Sequence, residues 1–337
     1  MTLNIFYQEP DPDRWFKYDR YLRKIIRKIV RGKQLPGGQM MVAINLLKGL
    51  DKLGVKYRFN DFQYARKNPE ELICVIGKTQ LILDKKFKNP IIFGASVFSH
   101  PIEYPEFLAK NTNIKKILVP GPWMKKMFDI YYKKDVTISW PVGIDTEKWS
   151  PSLKLKSQLI DFLVYDKIRW QHDDYEQKLL IPILSYLEDK NYSYEIIKYG
   201  NYRSEDLVAK IGISKSVIFL CEHETQGLAY QQILSTDTPI FAWDRGGYWQ
   251  DPDHFPHQVK FDEDVSSVPY WDERCGMKFR DLSEFKTLIT KFVEEQKSMN
   301  FSPRKYILEN LTLEKCAQRY CEIVSSLLKS SHKNLHL

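Results

Sequence analysis

The sequence predicts an α/β protein made of two Rossmann-like, doubly wound domains that face each other across a cleft. Its length of 337 residues fits two domains of about 150 residues each. Short apolar runs alternate with stretches whose apolar residues recur at helical spacing, which is typical of parallel sheets covered by helices. Near the middle of the chain, a segment at 140–151 rich in Pro and Gly interrupts this alternation.

In the first half we predict buried strands and amphipathic helices in alternation. The first strand is the apolar run 3–7, and a helix over 39–54 ends at Gly54. A second helix over 121–132 begins at a Gly-Pro turn. Further strands of this half are predicted at 71–76, 89–94 and 115–120.

The second half repeats the same alternation. Its strands are predicted at 160–165, 194–200, 216–221 and 238–243. Its helices are predicted at 175–190, 203–212, 227–235, 282–297 and 312–328. We therefore place the domains at 1–148 and 149–312, with 313–337 as a C-terminal helix that packs back toward the first domain and ends in a polar tail.

Composition narrows the class of protein. The net charge of +8 and a pI near 8.9 indicate anionic partners such as phosphates, lipid head groups or nucleic acid. No apolar run approaches the ~20 residues that cross a bilayer, and the N-terminus lacks a signal-peptide pattern, so we expect a cytoplasmic protein. The 5 scattered cysteines form no CxxC pair, which argues against a disulfide framework or a metal site.

The segment 221–247 is the most informative part of the sequence. A predicted strand ends at Cys221, a polar loop with Glu224 follows, and a helix begins at Gly227. Peptide N–H groups at a helix start carry partial positive charge, so this turn can hold a diphosphate. Gln232 lies 8 residues after Glu224, on the helix.

This segment resembles the C-terminal signature of the retaining GT-B glycosyltransferases, the group 1 or family 4-like enzymes. Their signature is Glu, seven residues that include Gly-Leu, and Glu, followed by a Gly-x-Pro-hydrophobic strand; here the chain has Glu224, TQGLAYQ and Gln232, then LSTDTPIFAW. The resemblance implies that Glu224 contacts the donor sugar. It also implies that the diphosphate is held at Gln226, Gly227, Leu228 and Ala229.

Gln232 stands where the family has a ribose-binding glutamate. An amide oxygen still accepts one hydroxyl hydrogen bond but lacks the charge-assisted strength of a carboxylate. A non-catalytic or relaxed GT-B protein that binds a sugar nucleotide is therefore the alternative function.

The segment YDKIRW at 165–170 supplies a basic pair after the first strand of the second half. The resemblance implies that Lys167 and Arg169 meet the donor diphosphate, where their charge would stabilise the leaving group as the glycosidic bond breaks. The alternative is that these two side chains are merely solvated.

In the first half, the resemblance is most specific at VPGPWMKKMF (119–128) and WPVGIDTEKWSP (140–151), and it assigns site roles to three residues. It implies that Gly37 and Gly38 border the cleft near the acceptor and the donor phosphates. His100 would hydrogen-bond the donor sugar or organise the acceptor as part of the catalytic set with Glu224 and Lys167. The alternative for His100 is a turn histidine before Pro101.

Taken together, the resemblance implies a glycosyltransferase with a nucleotide-sugar-binding second domain and an acceptor-side first domain. The sugar would pass from a nucleotide diphosphate donor to a glycan, lipid-linked or polysaccharide acceptor, with retention. We expect no cofactor and no metal, since the Asp-Pro-Asp runs at 11–13 and 251–253 are typical turns. The nucleotide base, the sugar and the acceptor stay open.

Residues 15–31 are predicted to form an amphipathic helix with a basic face and an aromatic-edged apolar face. Such a helix binds an anionic membrane surface, which would make the protein peripheral on the inner face of a membrane. Packing on the first domain with a solvated basic rim, or a grip on a phosphorylated acceptor, are the alternatives.

Two other classes fit less well. A GT-B sugar-nucleotide epimerase would gather several cleft histidines and carboxylates, and the 7 histidines here form no such set. A nucleic-acid-binding protein would account for the charge and the aromatic residues, but no DNA- or RNA-binding motif is present, so we expect no nucleic-acid partner.

Overall fold

A computed structural model describes residues 2–9, 37–95, 98–132, 135–253 and 261–333, and every structural statement below concerns these residues. They form two compact units. Unit 1 takes the described residues up to Pro120, with 128–140 and the chain from Cys316 onward. Unit 2 takes 121–127 and 141–315.

Unit 1 contains a six-stranded sheet in the order β2-β1-β3-β4-β5-β6, with every strand pair parallel. The order reverses direction at β1, which pairs with both β2 and β3. The strands are β1 Leu3–Tyr7, β2 Tyr57–Phe59, β3 Ile73–Ile76, β4 Ile91–Gly94, β5 Ile114–Val119 and β6 Thr137–Ser139.

Unit 2 contains a five-stranded parallel sheet in the order β11-β10-β9-β7-β8. Here the direction reverses at β7, which pairs with β8 on one side and β9 on the other. The strands are β7 Ile160–Asp166, β8 Tyr194–Lys198, β9 Ser214–Leu220, β10 Ile240–Trp243 and β11 Gly276–Phe279.

Helices connect these parallel strands, as crossover connections require. In the first part of the chain they are Gly38–Lys52, Phe62–Lys67, Gln80–Lys85, Phe107–Lys110 and Pro122–Tyr131. In the second part they are His172–Tyr175, Ile181–Asp189, Ser204–Ile213, Leu228–Ser235, Leu282–Lys297, Pro303–Asn310 and Leu313–Lys333. Short 3₁₀ turns lie at Pro101–Glu103, Pro151–Leu153 and Glu273–Cys275.

The sheet of unit 2 is buried because its strands carry apolar residues on both faces. Phe162, Val164, Ile218 and Phe241 from three strands are at most 1% exposed and belong to one core cluster. Apolar residues of the helices Ile181–Asp189 and Leu282–Lys297 complete that cluster. The predicted α/β class with two Rossmann-like domains is confirmed by the two parallel sheets.

Two details differ from the elements predicted from sequence. The predicted helix 175–190 is divided, because a π-helical turn at Glu176–Leu180 precedes Ile181–Asp189. Pro182 lacks the N–H that would continue the α-helical pattern at this point. The compact units divide between Trp140 and Pro141, eight residues before the predicted boundary at 148/149.

Gly143, in the connecting segment, is placed by close packing within unit 2. A Cβ on Gly143 would lie 2.6 Å from Leu313 Cα and 2.7 Å from the Thr312 carbonyl oxygen. Ile144 forms an isolated parallel bridge with Thr312 beside it. Glycine is therefore required here by the approach of two backbone segments.

Candidate functional site

The direction reversal of the second sheet marks its candidate site. In doubly wound sheets, ligands bind outside the carboxyl ends of the strands where the strand order reverses. In unit 2 this point lies between β7 and β9. The loop after β7 holds Lys167 and Arg169, and the loop after β9 holds Glu222, His223 and Glu224.

Lys167 and Glu224 meet at this point as an ion pair between Lys167 Nζ and Glu224 Oε1. The two side chains are 10% and 8% exposed. The loops that position them are tied down, since Lys167 N–H donates to Leu220 O over 2.8 Å and Glu224 N–H donates to Ser266 O over 2.9 Å. Burial is the largest single influence on the pKa of Lys167 and lowers it, but the attraction and hydrogen bond of Glu224 together with the effects of Cys221 and Tyr199 outweigh burial, and the pKa lies above its ordinary value.

Arg169 and Glu222 form the second charged pair of the site. Glu222 Oε1 accepts the N–H groups of Arg169 and Trp170, each over 2.6 Å, which fixes the loop after β7. The Arg169 guanidinium donates to His223 O over 2.8 Å, and its side chain stays 34% exposed. Glu222 was not identified from the sequence, although it directly follows the predicted strand 216–221 and lies two residues before Glu224.

His223 lies between two tryptophan rings, with centroid distances of 5.2 Å to Trp123 and 4.6 Å to Trp170. Burial lowers the pKa of His223 well below its ordinary value, and the charges of Arg169, Arg245 and Lys167 lower it further. Its Nδ1 is buried and has no hydrogen-bond partner among the described residues. The imidazole is therefore neutral, and three cations from the loops after β7 and β10 act on it.

The helix that the sequence places after this loop begins at Leu228, and Gly227 is its N-cap with φ +74°. A Cβ on Gly227 would lie 2.0 Å from Tyr230 Cε1, so the glycine is required by its own helix as well as by its backbone conformation. Leu228 and Ala229 are half-buried at the first turn, where amide groups lack helical partners.

The two glutamines of this segment differ in their environment. The Gln226 side chain is buried and accepts the Val142 N–H over 3.1 Å, so it holds the connecting segment. Gln232 is half-buried on the helix, and its amide makes no hydrogen bond to the part of the chain that the structure describes. Gln232 is thus the residue of this pair that can accept a new partner.

The start of the helix Pro122–Tyr131 packs against the backbone of the Glu224 loop. Trp123 Nε1 donates to the Glu224 carbonyl oxygen over 2.8 Å in a buried position. A Cβ on Gly121 would lie 2.5 Å from Thr225 O, so the two backbones approach closely at this glycine. These contacts hold the backbone of Glu224 independently of its ion pair with Lys167.

Two further groups at the carboxyl edge of this sheet were not identified from the sequence. Tyr199, after β8, is 50% exposed, and Lys167 Nζ lies 4.4 Å from its ring centroid. Asp166, the last residue of β7, lies 2.8 Å from His172 Nε2. Asp166 directly follows the predicted strand 160–165, which is a signal that could have found it, whereas Tyr199 falls inside the predicted strand 194–200 and follows only the observed β8.

Among the described residues, one cluster of side chains has the composition of a metal site. One group, His172, Asp173 and Glu176, brings its ligand atoms within 4.8 Å of one another. Asp173 is exposed, and His172 already uses Nε2 toward Asp166. Exposed acidic groups of this kind are common without a metal, and we assign no site to them.

In unit 1, His100 is fully buried at the start of a 3₁₀ turn. Its Nδ1 accepts the Ile102 N–H over 3.1 Å, and the Glu103 carboxylate accepts the Ser99 and His100 N–H groups. The ring also contacts Tyr131 edge-on, with centroids 4.8 Å apart. These contacts give His100 a capping role, and its catalytic role stays a prediction.

The remaining predicted residues of unit 1 lie at the first helix. Gly37 is the N-cap and Gly38 the first residue of Gly38–Lys52, both are exposed, and no atom in the described part of the chain lies within 4 Å of a Cβ built on either. Local packing does not require glycine at these positions. The predicted basic helix 15–31 lies outside the described residues. Of the helices that the structure describes, none combines the length and apolar character of a membrane span.

Comparison with known proteins was made at the level of sequence and of structure. No protein-family model matches the sequence, and no curated protein sequence matches it significantly. Solved structures do match. Sucrose-phosphate synthase from Thermosynechococcus elongatus matches with a TM-score of 0.59 at 11% identity, over 98% of this chain and 99% of that one.

Two other solved structures have the same architecture. The lipopolysaccharide outer core galactosyltransferase WaaB matches with a TM-score of 0.55 at 9% identity, over 97% of this chain and 99% of that one. The N-terminal domain of Candida albicans trehalose-6-phosphate phosphatase matches with a TM-score of 0.50 at 13% identity, over 96% of each chain.

These matches show that the chain has the two-domain, Rossmann-like GT-B fold. Because the identities are only 9–13%, these matches define the fold alone. The three proteins are named for three different reactions. Since one fold supports many reactions, the chemistry of this chain depends on the residues of its own site.

Proposed function

We propose that this protein is a glycosyltransferase that binds a nucleoside diphosphate sugar at the carboxyl edge of the second sheet. The observation that supports it best is the convergence of Lys167, Arg169 and Glu224 where the strand order reverses, beside the first turn of Leu228–Ser235. Cations and helix-start amides at one place suit a diphosphate. A buried carboxylate beside them suits the hydroxyl groups of a sugar.

Each residue has a defined role in this proposal. Lys167 Nζ has three N–H donors, of which Glu224 takes one, so the others can meet phosphate oxygens. The exposed Arg169 guanidinium and the amides of Leu228 and Ala229 complete the diphosphate contacts. Glu224 accepts a hydrogen bond from a donor-sugar hydroxyl.

The reaction exchanges one glycosidic bond for another. The bond between the anomeric carbon and the phosphate oxygen breaks, and its electron pair stays on the diphosphate. The acceptor hydroxyl oxygen forms the new bond, and its proton passes to the departing diphosphate. Negative charge grows on the diphosphate during this step, and the fixed positive charges of Lys167 and Arg169 stabilise it.

The finer features of the proposal rest on the resemblance of Glu224 through Gln232 to the retaining enzymes. It supports retention, independence of a metal and of a cofactor, and a glycan, lipid-linked or polysaccharide acceptor. The structural likeness to a galactosyltransferase supports glycosyl transfer in general. Gln232 supports the second candidate, a GT-B protein that binds the nucleotide sugar without turnover.

The test is release of nucleoside diphosphate from a panel of UDP-, GDP- and ADP-hexoses, first with water and then with a mixed glycan extract as acceptor. One donor should be turned over, and Glu224→Gln should slow it about 10²- to 10³-fold, as expected for loss of a transition-state contact. Glu205→Gln, an exposed residue of the same unit, is the matched control and should keep full activity. Donor binding without turnover would favour the second candidate, and neither binding nor turnover would contradict both.

A further inference from the structure

We propose that Tyr199 stacks against the nucleobase of the donor, so that the nucleoside lies on the β8 side of the Lys167–Glu224 pair. This inference rests on the proposed function, because it takes the ligand to be a nucleoside diphosphate. The donor then lies along the sheet edge with its base toward β8, where Tyr199 recognises the base.

The position of Tyr199 is fixed relative to the charged pair. Its N–H donates to the Asp166 carbonyl oxygen over 2.8 Å, which anchors it at the carboxyl end of β7. Its ring centroid lies 4.4 Å from Lys167 Nζ. A group that binds the Lys167 ammonium is therefore within reach of the tyrosine ring.

The ring is also available to a ligand. Tyr199 is 50% exposed, although the Lys167 side chain beside it is almost buried. Gly200, the next residue, has φ +85°, and no atom of the described residues lies within 4 Å of where its Cβ would be. An aromatic ring with free surface beside a phosphate-binding cation matches a nucleotide, in which a ribose separates a planar base from the phosphates.

The other side of the charged pair has a different chemistry. The strand order places the loops after β10 and β11 opposite to the loop after β8. Those loops form a cavity of about 520 Å³ with charged lining residues Asp244, Arg245, Asp264, Lys278, Arg280 and Glu284. Its aromatic lining residue, Phe279, is fully buried.

This cavity suits hydroxyl groups better than a planar base. The Asp244 carboxylate accepts hydrogen bonds from Lys278 Nζ over 2.7 Å and from the Ser267 N–H over 2.8 Å. Asp264 accepts the Gly247 N–H over 2.9 Å. The polar atoms that line the cavity thus include both donors and acceptors, as a polyhydroxylated sugar requires. The contrast between the two sides orients the donor with its base toward β8.

The experiment is calorimetric titration of wild type, Tyr199→Ala and Tyr199→Phe with UDP, GDP, ADP and pyrophosphate. Tyr248→Ala is the matched control, because Tyr248 is a tyrosine with 40% exposure in the loop after β10 and does not line the cavity. Pyrophosphate reports the phosphate contacts alone, and the nucleotides add the ribose and base.

We expect the preferred nucleotide to bind wild type more tightly than pyrophosphate. Tyr199→Ala should weaken that nucleotide about 5- to 150-fold, the range for loss of one base–aromatic stack, and leave pyrophosphate within about twofold. Tyr199→Phe keeps the ring and should retain the nucleotide affinity, as should Tyr248→Ala.

Two results would overturn the inference while the proposed function stands. These are unchanged nucleotide affinity in Tyr199→Ala, or equal losses for nucleotide and pyrophosphate, which would mean that the tyrosine acts through Lys167. If wild type binds neither pyrophosphate nor any nucleotide, the donor site itself is absent, and the inference fails together with the proposed function.

Discussion

Lys167 and Glu224 lie 57 residues apart in sequence and form a nearly buried ion pair at the carboxyl edge of the second sheet. Removing two charges from water costs free energy. The attraction between the two buried charges offsets that cost only when both partners are present. The pair therefore links the stability of unit 2 to the residues that we assign to donor binding.

Removing one partner should be more damaging than removing both. Lys167→Met should lower the free energy of unfolding by about 3–5 kcal/mol, because the Glu224 carboxylate is left buried without its counterion. The double variant Lys167→Met/Glu224→Met should be more stable than the single one. Urea unfolding measures both, and Lys178→Met, which removes an exposed pair with Asp174, should cost less than about 1 kcal/mol. A double variant less stable than the single variant would contradict a coupled pair.

Gly227 and Gly247 offer a matched comparison, since both have φ +74°. A Cβ on Gly247 meets no atom of the described residues within 4 Å, whereas one on Gly227 would clash with Tyr230 at 2.0 Å. Gly247→Ala should cost about 1–2 kcal/mol from backbone strain alone. Gly227→Ala should cost about 1–3 kcal/mol more, because the Tyr230 ring has to move. Equal losses in urea unfolding would show that the ring adapts without cost.

His223 should make the protein acid-sensitive. Burial first, and then the three nearby cations, keep its pKa below the ordinary value of 6.5, so the unfolded chain binds its proton more readily. This contribution to stability is present above pH 6.5 and is lost as pH falls below it.

The stability difference between wild type and His223→Gln reports this effect. It should fall by up to about 1.4 kcal/mol per pH unit as the pH is lowered from 7 to 5.5, since only the wild type has the buried imidazole. Urea unfolding at several pH values measures the difference. A constant difference across that range would mean that His223 takes up its proton equally in both states.

Gln232→Glu should strengthen binding of the nucleotide. A carboxylate accepts a ribose hydroxyl more strongly than an amide does, and Gln232 is free of hydrogen bonds to the described residues. We expect about five- to tenfold tighter binding of the preferred nucleoside diphosphate by calorimetry. Pyrophosphate, which has no ribose, is the control ligand and should not gain. A loss of nucleotide affinity would place Gln232 away from the ribose.

The sequence predicts the fold well where periodicity and end signals agree. The helix predicted at 282–297 is observed as Leu282–Lys297, because its apolar residues recur at helical spacing and the Asp281 side chain caps its start by accepting the Glu284 N–H. The short strands β2 and β6 were not predicted, since three residues are too few to show a period.

The site was predictable in its parts and not in its contacts. Lys167 and Glu224 were recognised by motif, but their ion pair depends on how β7 and β9 are paired. Tyr199, His223 and Arg245 carry no motif. Their shared signal is that each closely follows a strand of the same sheet, and the strand order needed to use that signal comes from the structure.

The central claim, that unit 2 binds a nucleoside diphosphate through Lys167, is tested most directly by thermal unfolding with UDP, GDP and ADP. At about a hundred times its dissociation constant, the right nucleotide should stabilise wild type by ~2.7 kcal/mol and raise the midpoint by about 5–10 °C. Lys167→Met should lose this shift relative to its own ligand-free midpoint, and Lys178→Met should keep it. No shift with any of the three nucleotides, or an equal shift in Lys167→Met, would contradict the claim.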